Sequence, residues 1–242
     1  GWQIKRLHKL IVTSETYKQQ SVRNGQLDEI DPDNRLFARQ SIRRIESEVL
    51  RDAVLSATGK VSGKMFGEPV PVMEDAVGQI VLGEEDLDGE RKPRAADSLG
   101  EEEYRRSIYV QVRRSRPLGV LETFDIATVA PNCTKRATSN VAPQSLLLMN
   151  SDFMVKYSGE FAQRLVSEFP DDLNGQLTRA WRIAFSEVPT NALVDSLLQF
   201  HREQVDVIRK DEPELNDSES HKRVLAIICQ AILGSNQFIY ID

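Results

Sequence analysis

Apolar residues recur every three or four positions over most of the chain, and that rhythm fails in one long central stretch. Trp2, Leu7, Leu10 and Ile11 fall at helical spacing and Thr13-Ser14-Glu15-Thr16 supplies a stop, so the spacing predicts a short helix over 2–13. Residues 19–33 are polar and turn-rich. Pro32, in Asp31-Pro32-Asp33-Asn34, fits an early helical position. From there Leu36, Ile42, Ile45, Val49, Ala53 and Ser56 repeat on one face, with Arg39, Arg43, Arg44, Glu46, Glu48 and Arg51 between them. An amphipathic helix over 34–57, stopped near Gly59, is expected.

Residues 59–103 carry glycine at 59, 63, 67, 78, 83, 89 and 100 and proline at 69, 71 and 93. That punctuation breaks helices and leaves an irregular acidic loop, with room for short strands such as Gln79-Ile80-Val81-Leu82. Ser107-Ile108-Tyr109-Val110-Gln111-Val112 alternates β-formers with polar residues and predicts one strand. Residues 113–142 are mostly irregular, with turn signals at Thr123-Phe124-Asp125 and Ala130-Pro131-Asn132.

The last hundred residues return to the helical period. Helices are expected from Pro143 through Met149, from the cap Asn150-Ser151-Asp152 through Val166, over 172–185, from the cap Thr190 through Ile208, and over 221–233. Gly234-Ser235-Asn236 ends the last one, and Phe238-Ile239-Tyr240-Ile241 reads as a short extended tail. The fold class is therefore mainly α: one helical domain over 1–242, with a small β element near 105–114 and an inserted irregular acidic loop over 59–103. Gly1 is not an initiator Met and the first residues read as a helix entered in mid-protein, so the chain is expected to be the C-terminal part of a longer one.

Composition narrows the function classes. Forty per cent of the 242 residues are apolar and the formal net charge is −6, the balance of a globular domain. No apolar run approaches the roughly 18 residues of a membrane span. Two cysteines, Cys133 and Cys229, are too few for a disulfide framework, although one bridge between them stays open. Three scattered histidines, His8, His201 and His221, show no metal-ligand spacing, so no metal site is expected. There is no GxSxG elbow, no phosphate-binding glycine loop and no CxxCH. This leaves Cys133 as a weak nucleophile, and Asp86 and Asp88 read as a solvated charge run.

The charge is uneven. Between Glu74 and Glu103 eleven acids face three bases, a net of −8, and residues 104–142 reverse to +5 with seven bases and two acids. If 107–112 is a strand, Arg105, Ser107, Tyr109, Gln111 and Arg113 share one face, turned to a cleft or water. Arg106, Ile108, Val110, Val112 and Arg114 share the other, which packs inward. Guanidinium groups in such a row suit carboxylate, sulfate or phosphate, so Arg105, Arg106, Arg113, Arg114 and Arg136 are candidate anion-binding residues. The competing reading, and the weightier one, is that these arginines pair with the acidic loop and with acids of the 34–57 helix. Nucleic acid is a poor partner for a net acidic chain with so short a basic segment.

Several blocks together resemble the planctomycete-specific domain family of unknown function. Trp2-Gln3-Ile4-Lys5-Arg6-Leu7-His8-Lys9-Leu10-Ile11-Val12-Thr13-Ser14 with Thr16-Tyr17-Lys18-Gln19, then Asp31-Pro32-Asp33-Asn34-Arg35-Leu36, then residues 43–53, stand in the family's order. Tyr104-Arg105-Arg106-Ser107-Ile108-Tyr109, Thr123-Phe124-Asp125, Cys133-Thr134-Lys135-Arg136, Pro143-Gln144-Ser145-Leu146 and residues 236–242 continue it. The resemblance implies a C-terminal module of large exported bacterial proteins, periplasmic or at the cell surface, that often also carry a cytochrome c-like domain. Haem c would then sit in another domain, with no cofactor in this fragment. Two features depart from the pattern: the family domain normally starts before the Trp2 block, and Ser139-Asn140-Val141-Ala142 replaces a more polar stretch.

The expectation is a non-catalytic accessory or interaction module whose partners are neighbouring domains of the same parent chain. The alternative is an enzyme or binding domain for anionic, sulfated or uronate polysaccharide. In it Arg105, Arg113 and Arg136 would hold the anionic groups, and Tyr109, Asp125 or His8 would move the proton.

Overall fold

The computed structural model describes residues 1–85, 96–128 and 133–241, without the side chains of 96–98. Asp86 and Asp88 lie outside the described residues. Two compact units divide the chain, Gly1–Ile45 with Tyr240–Asp242, and Glu46–Ile239.

In the smaller unit, α1 (Ile4–Val12) forms where the apolar spacing predicts it, but buries none of its residues. Trp2, Ile4, Leu7, Leu10 and Ile11 are all exposed. A second short helix, α2 (Gly25–Ile30), stands in the stretch expected to be turns, capped by the Asn24 side chain, which accepts from the Gln26 N–H. The two-residue strand β1 (Arg43–Arg44) pairs antiparallel with β4 (Tyr240–Ile241).

The expected helix over 34–57 is present only in its second half, as α3 (Ser47–Thr58) in the larger unit. Its first half is undone by local polar chemistry. The Asp31 carboxylate accepts the N–H groups of Arg35 at 2.8 Å and Leu36 at 2.6 Å. Those two backbone donors, Leu36 first, hold the Asp31 carboxyl below the usual range. Asn34 and Phe37 take left-handed backbone conformations, each with φ 54°. Asx chemistry thus outcompetes the helical ladder here. The C-terminus of α3 follows expectation: Gly59, at φ 77°, supplies the left-handed cap that a Cβ would strain.

The larger unit is mainly helical. A hairpin, β2 (Val72–Glu74) with β3 (Ile80–Leu82), lies inside the segment read as irregular, and Ala96–Tyr104 forms kinked 3-10 turns. The β element near 105–114 consists of two isolated bridges, Ser62 with Arg105 and Val70 with Val110. Between them Ser107–Tyr109 is a 3-10 turn rather than a strand. Then follow α4 (Gly119–Thr123), α5 (Ala142–Asn150), α6 (Asp152–Glu168), α7 (Leu173–Phe185), α8 (Asn191–Asp211), α9 (Asp217–Leu233) and α10 (Asn236–Ile239). The caps read from sequence act as such, Ser151 and Thr190 each accepting from a first-turn N–H, and Asp172, expected inside its helix, caps it in the same way. The last long helix starts at Asp217 rather than 221, because Asn216 and Glu219 form a capping box. The tail is helical in α10 before it becomes β4.

Two apolar clusters organise this unit. In the helical one, Met154, Phe161 and Leu165 of α6 and Val224, Leu225, Ile228 and Leu233 of α9 are buried along the closest helix pair. Full burial of each such side chain contributes roughly 1.5–3 kcal/mol. In the other, Val72, Val110, Leu118, Val120 and Leu121 pack with Ile80, Leu82, Ile126, Leu147 and Phe153. The second cluster carries the loops on which the candidate residues stand. Among the described residues, no helix is long and apolar enough to cross a membrane.

Candidate functional site

Arg51 and Asp52, adjacent on α3, set the course of the segment after Tyr104. Asp52 Oδ1 accepts both the Ser107 N–H and its hydroxyl, each at 2.7 Å. The Arg51 guanidinium, 1 % exposed, donates to the carbonyls of Arg105 at 2.9 Å and Glu103 at 2.7 Å and to Ser107 Oγ at 3.2 Å. These bonds turn Ser107 inward and curl the backbone, so the two-faced strand does not form. The facing expected of it is inverted in part: Arg105 and Ser107 are buried, while Ile108 is 77 % exposed and Val112 is also exposed.

Arg105 is consequently a structural group. Its guanidinium donates to the carbonyls of Phe66 at 2.6 Å and Glu68 at 2.8 Å and to Glu102 at 3.2 Å, and it lies 4.3 Å from the Tyr109 ring centroid. Arg106 approaches the same ring at 5.9 Å. Tyr109 is thus bracketed by guanidinium groups. Arg113 binds Glu85, whose side chain is 3 % exposed, and Arg116 reaches Glu85 and Glu74. Arg136 makes a two-pronged bond to Glu48 at 2.6 and 3.0 Å and lies 3.6 Å from Glu46. Burial opposes the Glu48 charge, but the Arg136 bond, the backbone and Ser47 together outweigh it and keep its carboxyl below the usual range. Acids of the negative segment and of α3 therefore neutralise most of the arginine row.

Asp125, one of the proton-transfer candidates, adopts φ 61° and holds the loop ahead of α5. Its Oδ2 accepts the Ser139 N–H at 2.7 Å, its Oδ1 accepts the Ser139 hydroxyl at 2.9 Å, and Gln144 donates to Ser139 Oγ and to the Thr123 carbonyl, both at 3.0 Å. Ser139 is thus a clamp residue. His8 is exposed on α1, in the smaller unit.

What the larger unit does provide is a cleft of about 500 Å³, lined among others by Arg113, Arg114, Asp125, Cys133, Lys135 and Arg136. A second cavity of about 360 Å³ adjoins it, sharing Val112, Pro117, Ile126 and Arg136. Neither contains Arg105, Tyr109 or His8. Arg114 and Lys135 are both exposed and have no ion-pair or hydrogen-bond partner among the described residues. Lys135, missed as a candidate, was visible only as one more base in the positive segment. Arg51 was missed for a different reason: on a helical wheel it is an ordinary surface residue.

Both cysteines are free, Cys133 exposed and Cys229 buried, and burial pushes the Cys229 thiol well above its ordinary value. His201 and His221 stack at 4.9 Å between ring centroids. Among the described residues no group of three His, Cys, Asp or Glu could hold a metal ion.

No curated protein and no solved structure matches the chain. A family model does, over residues 1–201, most of the chain and including both the α1 block and the segment that carries the cleft. By that match the chain belongs to the family described as PSD1: Protein of unknown function (DUF1553).

Proposed function

We propose that the domain is a non-catalytic interaction module of a larger exported bacterial protein, docking against neighbouring domains of its parent chain. One observation carries this reading. Helix α1 is strongly amphipathic, yet Ile4, Leu7, Leu10 and Ile11 all stand in solvent beside Lys5, Arg6 and Lys9. An apolar stripe of this kind, rimmed by one sign of charge, marks a face made to be covered. The internal pairing of Arg105, Arg113 and Arg136 supports the same reading, since those groups serve the fold rather than a substrate.

The test is association in trans. The remainder of the parent chain is titrated with this domain in a calorimeter, beside the double variant Leu7→Asp, Leu10→Asp. Saturable binding that the variant loses is expected, with unchanged unfolding because α1 buries nothing; no heat at 100 μM would refute the reading.

A second reading, binding of anionic polysaccharide, rests on Arg114 and Lys135, cations of the cleft that have no ion-pair partner among the described residues. Sulfated and uronate oligosaccharides at low and moderate salt, against a charge-matched control protein, test it; binding no stronger than the control removes it.

A further inference from the structure

The smaller unit is built almost without an interior. Between Gly1 and Ile45 the sequence holds fourteen Val, Leu, Ile, Phe, Tyr and Trp side chains, of which thirteen are exposed and only Ile45 is buried. Helices α1 and α2 bury no residue. The other buried side chains of this stretch, Asp31 and Asn34, are polar, and their bonds close one local loop. Asp31 accepts the N–H groups of Arg35 and Leu36, and Asn34 donates to the Arg39 carbonyl at 2.7 Å and to Ser41 Oγ at 3.2 Å. That loop presents Leu36 and Phe37 to solvent, and Phe37 does so at φ 54°, a strained conformation for a bulky side chain.

Such a unit is not held by its own contacts. Helix α1 has nine residues, three of them the β-branched Ile4, Ile11 and Val12, and α2 has six. Isolated helices shorter than about 12 residues are marginal in water, because ordering the backbone costs more than exposed helical bonds return. The pairing of β1 with β4 is two residues long and adds little. In the larger unit, by contrast, Phe161, Leu165, Val224 and Leu225 are each at most 1 % exposed. The thirteen exposed side chains together offer on the order of 1,000 Å² of apolar surface, and one partner in a standard protein interface contributes roughly 800 Å².

We propose that the smaller unit is ordered by docking. In the free chain α1, α2 and the 31–41 loop exchange with unfolded backbone, and they settle into the described conformation when the neighbouring domain of the parent chain covers their apolar side chains. The proposal rests on the reading of the domain as an interaction module and adds the regulation of that surface: association carries the ordering cost, which lowers affinity for a given area and keeps docking reversible.

Hydrogen exchange read by mass spectrometry, on the chain alone and saturated with the remainder of the parent chain, tests it. In the free chain the amides of Ile4–Val12 and Gly25–Ile30 should exchange within seconds while those of α6 and α9 are slowed by roughly a thousandfold or more. Saturation should slow the first two segments at least tenfold. Asp31→Ala separates ordering from the folding of the larger unit: it removes the acceptor of two backbone N–H groups in the loop, so it should weaken association at least fivefold and leave the urea midpoint of the free chain within about 0.2 M of the parent. Protection of α1 or α2 in the free chain, exchange that stays fast in the complex, equal protection by phosphatidylglycerol vesicles, a lowered midpoint for Asp31→Ala or an unchanged affinity for it would each overturn the proposal. With saturable heat still observed in the calorimeter, those results strike the ordering step alone, whereas absence of heat removes the module reading and this proposal with it.

Discussion

Replacing Arg51 with methionine tests whether the interior of the larger unit is held by a buried cation. The substitution keeps the unbranched length of the side chain and removes its donors. The carbonyls of Glu103 and Arg105 lose their partner, and Ser107 Oγ keeps only Asp52. Each buried acceptor left unpaired costs about 1–3 kcal/mol. Against this, the guanidinium no longer has to be desolvated, a relief that makes some buried-ion replacements neutral. With two carbonyls stranded, the balance falls at about 3 kcal/mol of destabilisation. For a unit of this size that lowers the thermal midpoint by about 6–12 °C, and at an m-value of about 2 kcal/mol/M it moves the urea midpoint by about 1.5 M. Arg51→Lys, with one short ammonium for three acceptors, should fall between methionine and the parent. Val155→Met on the exposed face of α6 should change nothing beyond about 0.5 kcal/mol. The assay is urea unfolding followed by far-ultraviolet circular dichroism, with a double-mutant cycle against Ser107→Ala to isolate the Arg51–Ser107 coupling. An Arg51→Met midpoint within about 0.2 M of the parent would show that the carbonyls find other donors and that the network does not hold this segment.

Other outcomes follow from the same geometry. Asp125→Ala removes the acceptor of the Ser139 N–H and puts alanine at a left-handed position, so a loss of about 2–3 kcal/mol is expected, and less for Asp125→Asn, which tolerates that backbone; equal midpoints for both variants would refute the clamp. His201 is buried against His221, and burial first, then the His221 charge, lowers its pKa despite the bond to the His221 carbonyl. Its contribution is therefore complete above the unfolded value of about 6.5 and is lost as pH falls through the lower folded value, at no more than about 1.4 kcal/mol per pH unit. Urea midpoints between pH 7.5 and 5 should fall more steeply for the parent than for His201→Leu, and parallel slopes would contradict this. Phe161→Ala, in the contact between α6 and α9, should cost about 3–5 kcal/mol by opening a cavity, checked by the same titration. Glu48→Gln breaks the two-pronged bond to Arg136, a pair about a third exposed, and should cost about 1 kcal/mol at pH 7, a difference from the parent that fades below about pH 4.

The helical half was legible because its information is local. Leu177 and Ala180, or Phe161 and Leu165, repeat at the period that buries one face, and Ser151, Asp172 and Thr190 stand where side-chain oxygens must meet first-turn N–H groups. Those forces act within a few residues and are written in their order. The segment from Asp31 to Leu36 shows the limit: proline and the apolar period favour a helix, but the Asp31 carboxylate bonds two backbone donors and stops it. The candidate site depended on tertiary structure almost entirely. Sequence located the positive segment and supplied the two rival readings of its arginines, yet which reading holds at each position was decided by groups far away in the chain. Arg51 and Asp52, more than fifty residues upstream, turn Ser107 inward and bury Arg105. Glu85 takes Arg113 and Glu48 takes Arg136. A guanidinium buried in a protein is stable only with acceptors around it, and a linear sequence does not say which acceptors arrive.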